Sequence, residues 1–366
     1  MIRVLHFFKT YVPDSFGGVE RVIWTIAEGA ARHDVQSDVL SLSRSSETAA
    51  MVVGSHFAHK AKLDFYVAST GFSISAFGRF KKLAENADII HYHFPWPFMD
   101  LVHLVSRVSK PSVVTYHSDI VKQRLLMPIY TPLMLAFLNR VDAIVATSPD
   151  YLASSPVLQR YATKTTVIPI GLDDPAILAP DPALVEQWRA RVGSGFFLFC
   201  GSLRYYKGLQ FLIEAARQNR LPVVIAGNGD MAWALRDANL SNVVHVPEFS
   251  DADKAALLHL SLAFVFPSHV RSEAFGLALV EAAMAGRPMI SCKLGTGTSF
   301  VNRDGETGIV IPPADVSALD RAMRALWTDR DAARRMGDAA RVHYQAHLRA
   351  GAMIDSYVTL YRNLLG

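Results

Sequence analysis

Two glutamates eight positions apart, Glu273 and Glu281, close off the stretch SEAFGLALVE, residues 272–281. The residues between them are apolar and would bury well. A carboxylate is a two-oxygen acceptor that suits a pair of neighbouring hydroxyls. One acid on a ribose, the other on a hexose, with phosphates between, would hold a nucleotide-sugar. Two solvated glutamates at the edges of a helix are the plainer alternative. Upstream, GSLRYYKG places Arg204, Lys207 and Gly208 just before a helix. Cations there oppose the positive end of the helix dipole. A bound diphosphate removes that conflict, with Arg204 as a fork and Lys207 as a point charge. The alternative is two exposed cations on a loop. The amides of Phe275, Gly276 and Leu277, at the start of the next helix, are free to face an anion.

In the first half, VVTYHSD ends on His117 and Asp119. A histidine there could donate to a sugar hydroxyl or carry a proton. It could equally be a hydrogen-bonded loop residue, since the chain has 13 histidines and most must be ordinary. HYH (91–93) sits at a similar place with a weaker claim. Gly17 and Gly18 precede a helix, where bare backbone amides suit a phosphate; a tight turn without a ligand would look the same. The spacing does not fit G-x-G-x-x-G, which argues against a dinucleotide-dependent oxidoreductase.

The elements that carry these residues alternate. Short β-branched runs are expected as strands at 2–8, 37–42, 88–94, 111–117, 142–147 and 165–170. A second series is expected at 196–201, 221–227, 242–246, 262–268, 287–292 and 307–312. Helical stretches separate them, among them 19–31, 75–86, 97–108 and 128–140, and 315–328 and 331–364 also read as helical. Strand–helix alternation predicts parallel sheets covered on both faces. It occurs twice, around a Pro-, Gly- and Asp-rich break near 169–182. The expected fold is therefore α/β, with two doubly wound domains, 1–170 and 175–347, facing a cleft. Ligands in such sheets sit at the carboxyl ends of the strands, where the residues above fall.

At 366 residues the chain is too long for one ordinary core. Apolar residues make up 51% and charged residues 19%, which excludes a disordered chain. Cys200 and Cys292 lie in no metal or disulfide spacing, and a reducing compartment fits them. The opening residues, with a short apolar run that ends at Lys9, read as a strand and not as a signal peptide. No run is long enough to span a membrane. The excess positive charge lies in residues 1–170, with 17 Lys and Arg against 13 Asp and Glu; residues 171–366 balance at 20 each. RFKK (79–82) and KQR (122–124) could face an anionic surface or be solvated helix faces. Nothing in the spacing suggests nucleic-acid binding.

Taken together, GSLRYYKG, the Glu273-x7-Glu281 pair within SEAFGLALVEAAMAGRPMI, Gly17-Gly18, His117 and VIPIGLD resemble the retaining glycosyltransferases of family four, which have the GT-B fold. The resemblance runs over essentially the whole chain. It implies two Rossmann-like domains, an N-terminal acceptor-side domain and a C-terminal nucleotide-sugar domain. It also implies that a helix at about 348–366 packs back on the first. It implies transfer of a sugar from a nucleoside diphosphate sugar with retention and without a metal or other cofactor. By position, Glu281 would bind the ribose and Glu273 the donor sugar's hydroxyls. Arg204 and Lys207 would neutralise the diphosphate, with help from amides at Gly18 and at Phe275 to Leu277. His117 would contact the donor sugar near the reacting centre. Electrostatic stabilisation of the leaving group would then dominate catalysis.

Two departures mark the chain. Ser202 stands where many relatives carry arginine, and LGTGTSFV (294–301) replaces Gly-Gly-x-Pro-Glu. This wording resembles bacterial mannosyl- and rhamnosyltransferases of O-antigen and other surface polysaccharide, which commonly use GDP-sugars. The implied acceptor is a glycan or an undecaprenyl-linked glycan. The implied location is the cytoplasm, peripheral to the anionic inner face of the membrane. A nucleotide-sugar epimerase on the same fold and a non-catalytic membrane-peripheral scaffold are the competing readings.

Overall fold

The computed structural model describes residues 1–45, 49–67, 70–120 and 126–366. The basic cluster at 122–124 lies outside them. The chain divides into two compact units. One holds Met1–Ile170 together with Ala350–Gly366, and the other Gly171–Arg349.

The first unit contains ten strands: β1 Ile2–Phe7, β2 Val35–Ser43, β3 Met51–Val53, β4 His56–Lys62, β5 Phe65–Val67, β6 Thr70–Phe72, β7 Ile89–Phe94, β8 Ser112–Tyr116, β9 Ala143–Ala146 and β10 Thr165–Val167. Eight form one sheet in the order β10-β9-β8-β7-β1-β2-β4-β3, parallel except for β3, and β5 and β6 form a separate hairpin. The second unit has β11 Phe197–Cys200, β12 Val223–Ala226, β13 Val243–Val246, β14 Ala263–Phe266, β15 Met289–Cys292 and β16 Gly308–Ile311. They form a parallel sheet in the order β13-β12-β11-β14-β15-β16.

Both sheets start at an interior strand, wind outward one way, then return and wind the other way. The reversal falls between β1 and β7 in the first and between β11 and β14 in the second. This is the doubly wound, Rossmann-like pattern, whose loops diverge at the reversal and leave a crevice there. Strands such as FLFC and AFVF are buried throughout because helices cover both faces. The helix Gly18–Ala30 buries Val22, Ile23, Ile26, Ala27 and Ala30, one stripe at helical spacing. Ser73 and Ser250 cap the helices that follow them by accepting from the backbone N–H three residues on.

Two sequence expectations need correction. The segment 331–364 is two helices, Arg330–His347 and Ala350–Leu365, broken at Leu348 and Arg349. The break is where the chain leaves the second unit for the first. The sequence pattern predicts no strand in 51–72, and the region contains four. In β4 the inward positions are His56, Ala58 and Lys60, so two of three are polar and the hydrophobic alternation is lost.

The helix Arg330–His347 packs on the helix Leu277–Met284, which bears Glu281. Gly337 makes that approach possible: a Cβ there would lie 2.3 Å from the Gly286 carbonyl oxygen. Gly351, in the last helix, has open space instead. Alanine is worth about 1 kcal/mol over glycine inside a helix, but overpacking costs about 1–3 kcal/mol. Gly337→Ala should therefore lower the melting temperature and Gly351→Ala should raise it, both read by calorimetry.

Candidate functional site

In the second unit the residues gather where the winding reverses. The loop after β11 carries Arg204 and Lys207, and Gly208 then begins the helix Leu209–Asn219. Gly208 has φ +74°, and a Cβ on it would lie 2.0 Å from the carbonyl oxygen of Pro267, in the loop after β14. Only glycine lets the two loops cross so closely. His269 N–H also donates to the Tyr206 carbonyl at 3.1 Å.

Lys207 and Glu273 form an ion pair across this crossing, and Ser268 Oγ donates to the same carboxylate at 3.2 Å. Both charged side chains are mostly buried, at 16% and 12% exposure. The sequence posed a conflict between two cations and the helix start. Glu273 resolves it for Lys207. Arg204 is exposed, and its guanidinium has no side-chain partner among the described residues. The structure thus joins Lys207 to Glu273 but does not draw Arg204 to them. Ser202 is exposed as well.

The carbonyls of Glu273 and Ala274 are held by the stretch 294–301. Thr296 Oγ1 donates to the Glu273 carbonyl at 2.9 Å, and Gly297 N–H to the Ala274 carbonyl at 2.7 Å. Arg271 bonds the carbonyls of Leu294 and Gly295. The unusual stretch 294–301 is therefore the clamp on the Glu273 loop. The N–H groups of Phe275, Gly276 and Leu277 have no acceptor among the described residues. They stand at the start of Leu277–Met284, and Gly276 caps it at φ +85°.

Glu281 is buried at 6% exposure in that helix and pairs with Lys254, itself 7% exposed, at 2.8 Å. Asp251 adds a second bond to Lys254 at 2.9 Å. Burial works against the Lys254 ammonium, yet Glu281 and Asp251 outweigh it and hold its pKa above the ordinary value. The solvated-glutamate alternative fails for Glu281. Lys254 was missed, although it falls in register with Leu257 and Leu258, on the side of the helix Asp251–Leu260 that faces the core.

In the first unit Gly17 precedes the helix and Gly18 is its first residue. Glu20, in the first turn, is buried and accepts from Thr10 Oγ1 at 2.6 Å and Ser15 Oγ at 3.0 Å. A carboxylate therefore already occupies part of this helix start. His117 follows β8, is 7% exposed, and binds His93 at 3.0 Å. His93 binds His6 at 3.1 Å. Burial pushes the His6 and His117 pKa values down to about 3. At neutral pH His117 therefore carries no charge and can act as a hydrogen-bond donor or acceptor but not as an acid. Asp119 serves the fold: it accepts from Tyr116 OH at 3.0 Å and Ser155 Oγ at 2.8 Å.

Nitrogens of His6, His91 and His93 lie within 4.8 Å of one another, near enough for a metal ion. Hydrogen bonds already occupy both ring nitrogens of His91 and of His93, however. Burial raises the thiols of Cys200 and Cys292 to about 12, so both are unreactive.

Two Rossmann-like sheets, each with polar groups at its winding reversal, define a GT-B protein. The profile described as Glycosyl transferases group 1 matches residues 181–343, and that described as Glycosyltransferase Family 4 matches residues 16–175. The chain is 48% identical over 368 residues to O-antigen chain mannosyltransferase C of Escherichia coli, covering 100% of this chain and 99% of that one. It is 49% identical over 348 residues to D-rhamnosyltransferase WbpZ of Pseudomonas aeruginosa, covering 94% and 91%. Among solved structures it is similar to sucrose-phosphate synthase from Thermosynechococcus elongatus, with TM-score 0.82, 20% identity and coverage of 100% and 99%. Anabaena HepE in complex with UDP gives 0.77, 15%, 99% and 100%. The chain belongs to the family-four glycosyltransferases and is a hexosyltransferase.

Removing one member of a buried ion pair strands the other charge and costs about 3–5 kcal/mol, whereas replacing both by apolar groups is often neutral. Lys254→Met should lose stability on this scale in urea unfolding. Lys254→Met with Glu281→Met should recover most of it.

Proposed function

We propose that this chain transfers mannose or rhamnose from a GDP-sugar, with retention at the anomeric carbon, to a glycan or undecaprenyl-linked acceptor in O-antigen or related surface polysaccharide synthesis. The observation that carries the reading is the near full-length similarity to two enzymes, one named an O-antigen chain mannosyltransferase and the other a D-rhamnosyltransferase. The comparisons lend nothing to the epimerase.

In this reading Glu281 accepts the ribose hydroxyls and Glu273 those of the donor sugar. Lys207, Arg204 and the amides from Phe275 to Leu277 take the diphosphate as its charge grows. From the first unit the reading draws on the Gly17–Gly18 amides and on His117 as a donor to a sugar hydroxyl. Charge stabilisation by fixed donors supplies the main catalytic effect, and no metal is assigned a part. Donor entry would exchange the Lys207–Glu273 bond for bonds to phosphate and hydroxyl. That exchange lets one ion pair present both charges to a substrate that needs both.

Thermal unfolding with GDP, UDP and ADP at equal excess tests the donor. A ligand at a hundred times its dissociation constant adds about 2.7 kcal/mol to stability. GDP should raise the melting temperature, and Lys207→Ala should abolish that rise. A response to UDP alone would overturn the GDP assignment, and no response to any of the three would overturn the nucleotide site.

We further propose cytoplasmic residence with peripheral contact to an anionic inner leaflet. No described helix is long and apolar enough to cross a membrane. The first unit exposes Phe65, Tyr66, Val67, Ile74, Leu101, Val105 and Ile129. These lie on β5 and on the helices Ile74–Asn86, Pro97–Ser106 and Met127–Arg140, of which the middle one packs on both of its neighbours. Lys81 and Lys82 are exposed on the first of these helices, whereas Arg79 is tied to the Lys60 carbonyl. The protein should sediment with anionic vesicles, less so at high salt. Equal sedimentation with neutral vesicles would remove the electrostatic part.

A further inference from the structure

The winding reversal of the first sheet holds a row of three imidazoles. His6 lies on β1, His93 on β7 and His117 just after β8. His6 Nδ1 is 3.1 Å from His93 Nε2, and His93 Nδ1 is 3.0 Å from His117 Nε2. The rings stack, with centroids 5.4 and 5.3 Å apart and planes within 20° and 23°. His91 stands beside the row, fixed by Tyr361 OH and Thr115 Oγ1, each at 2.7 Å. His6 and His93 are sealed from solvent.

A neutral imidazole has one N–H and one bare nitrogen. Burial keeps all three neutral near pH 7. Each N···N contact needs one N–H, so the two bonds must point the same way along the row. If they point from His117 to His6, the His6 proton sits on Nε2. That atom is buried and has no partner, so an N–H would be left without an acceptor. If they point from His6 to His117, the unpartnered atom is a bare nitrogen. Buried N–H groups without acceptors are the rarer defect in folded proteins, which favours the second direction.

We propose that His6 and His93 are positioning residues that fix His117 as its Nδ1–H tautomer, so that His117 offers a hydrogen-bond donor, and not a base, to an oxygen of the substrate. The bonds run His6 Nδ1–H to His93 Nε2 and His93 Nδ1–H to His117 Nε2. The remaining nitrogen of His117 has no partner among the described residues and is left to the ligand. The ligand's part rests on the glycosyltransferase reading. The tautomer does not, because it is set within the first unit.

The test is a long-range proton–nitrogen correlation spectrum of the full chain labelled with 15N-histidine, at pH 7.5 and without substrate. His117 is assigned by the signal lost in His117→Asn. A protonated Nδ1 with a bare Nε2 is expected. His93→Leu should release His117 to the Nε2–H form, whereas His93→Asn, whose amide can still donate from near the Nδ1 position, should keep Nδ1–H. An Nε2–H or doubly protonated His117 in the unsubstituted protein would overturn the proposal, and that spectrum decides even if His93→Leu fails to fold. An unchanged tautomer in folded His93→Leu would also overturn it. Zinc ion should leave the spectrum unaltered; a shift of the His6 and His93 signals together would replace the hydrogen-bonded row with a metal site. Because no turnover is measured, a failed donor assignment and a failed tautomer assignment remain separate results.

Discussion

A parallel sheet that winds outward in both directions from an interior strand must send neighbouring loops apart at one place. Each unit of this protein has one such place, and the polar residues of interest collect there. In the first sheet it lies between β1 and β7, with His6 and His93 on either side. In the second it lies between β11 and β14, with Lys207 following one strand and Glu273 the other. Backbone there has no neighbouring strand end to continue against, so side chains supply the contacts. The crossing of the two loops at Gly208 and Pro267 is the tightest expression of this demand.

Burial of polar groups then governs the rest. The Glu281 carboxylate lies in a helix that is otherwise apolar and would be costly alone. Lys254 and Asp251 make it tolerable, and they do so from a different helix, which fixes the position of both. The histidine row follows the same rule without charge: each ring settles its neighbour, and only the end rings keep a nitrogen that no neighbour settles. The contrast with Arg204 is instructive. Its side chain is exposed and has no partner among the described residues, so its position costs the folded protein little and is correspondingly loosely specified.

Much of this was legible in the sequence. Strands such as FLFC and VVIA are apolar over their whole length and bounded by Gly and Pro, so type and order could be read directly. The loop residues Lys207, Glu273 and Gly276 stood out because charges and glycines between buried runs need a reason. Lys254 did not stand out, because a lysine on a helix is ordinarily solvated and its partner lies 27 residues away. His6 did not either: it sits inside a strand, and nothing local shows that β7 will lie beside β1. Strand β4 was hidden because two of its three inward residues are His56 and Lys60, whose burial depends on Tyr11 and Asp14. In each case the missing information is a contact between distant segments, which local pattern does not contain.

The last helix, Ala350–Leu365, belongs to the first unit, where Tyr361 bonds His91 and Tyr357 bonds Thr115 at 2.8 Å. These tyrosines are made only after the whole of Gly171–Arg349 has been synthesised. Residues Met1–Ile170 therefore cannot complete their own interior before the last helix is made, and until then His91 Nδ1 lacks its Tyr361 partner, whereas the second unit is contiguous in the chain. Completion of the first unit thus depends on a segment separated from the rest of it by the whole of the second.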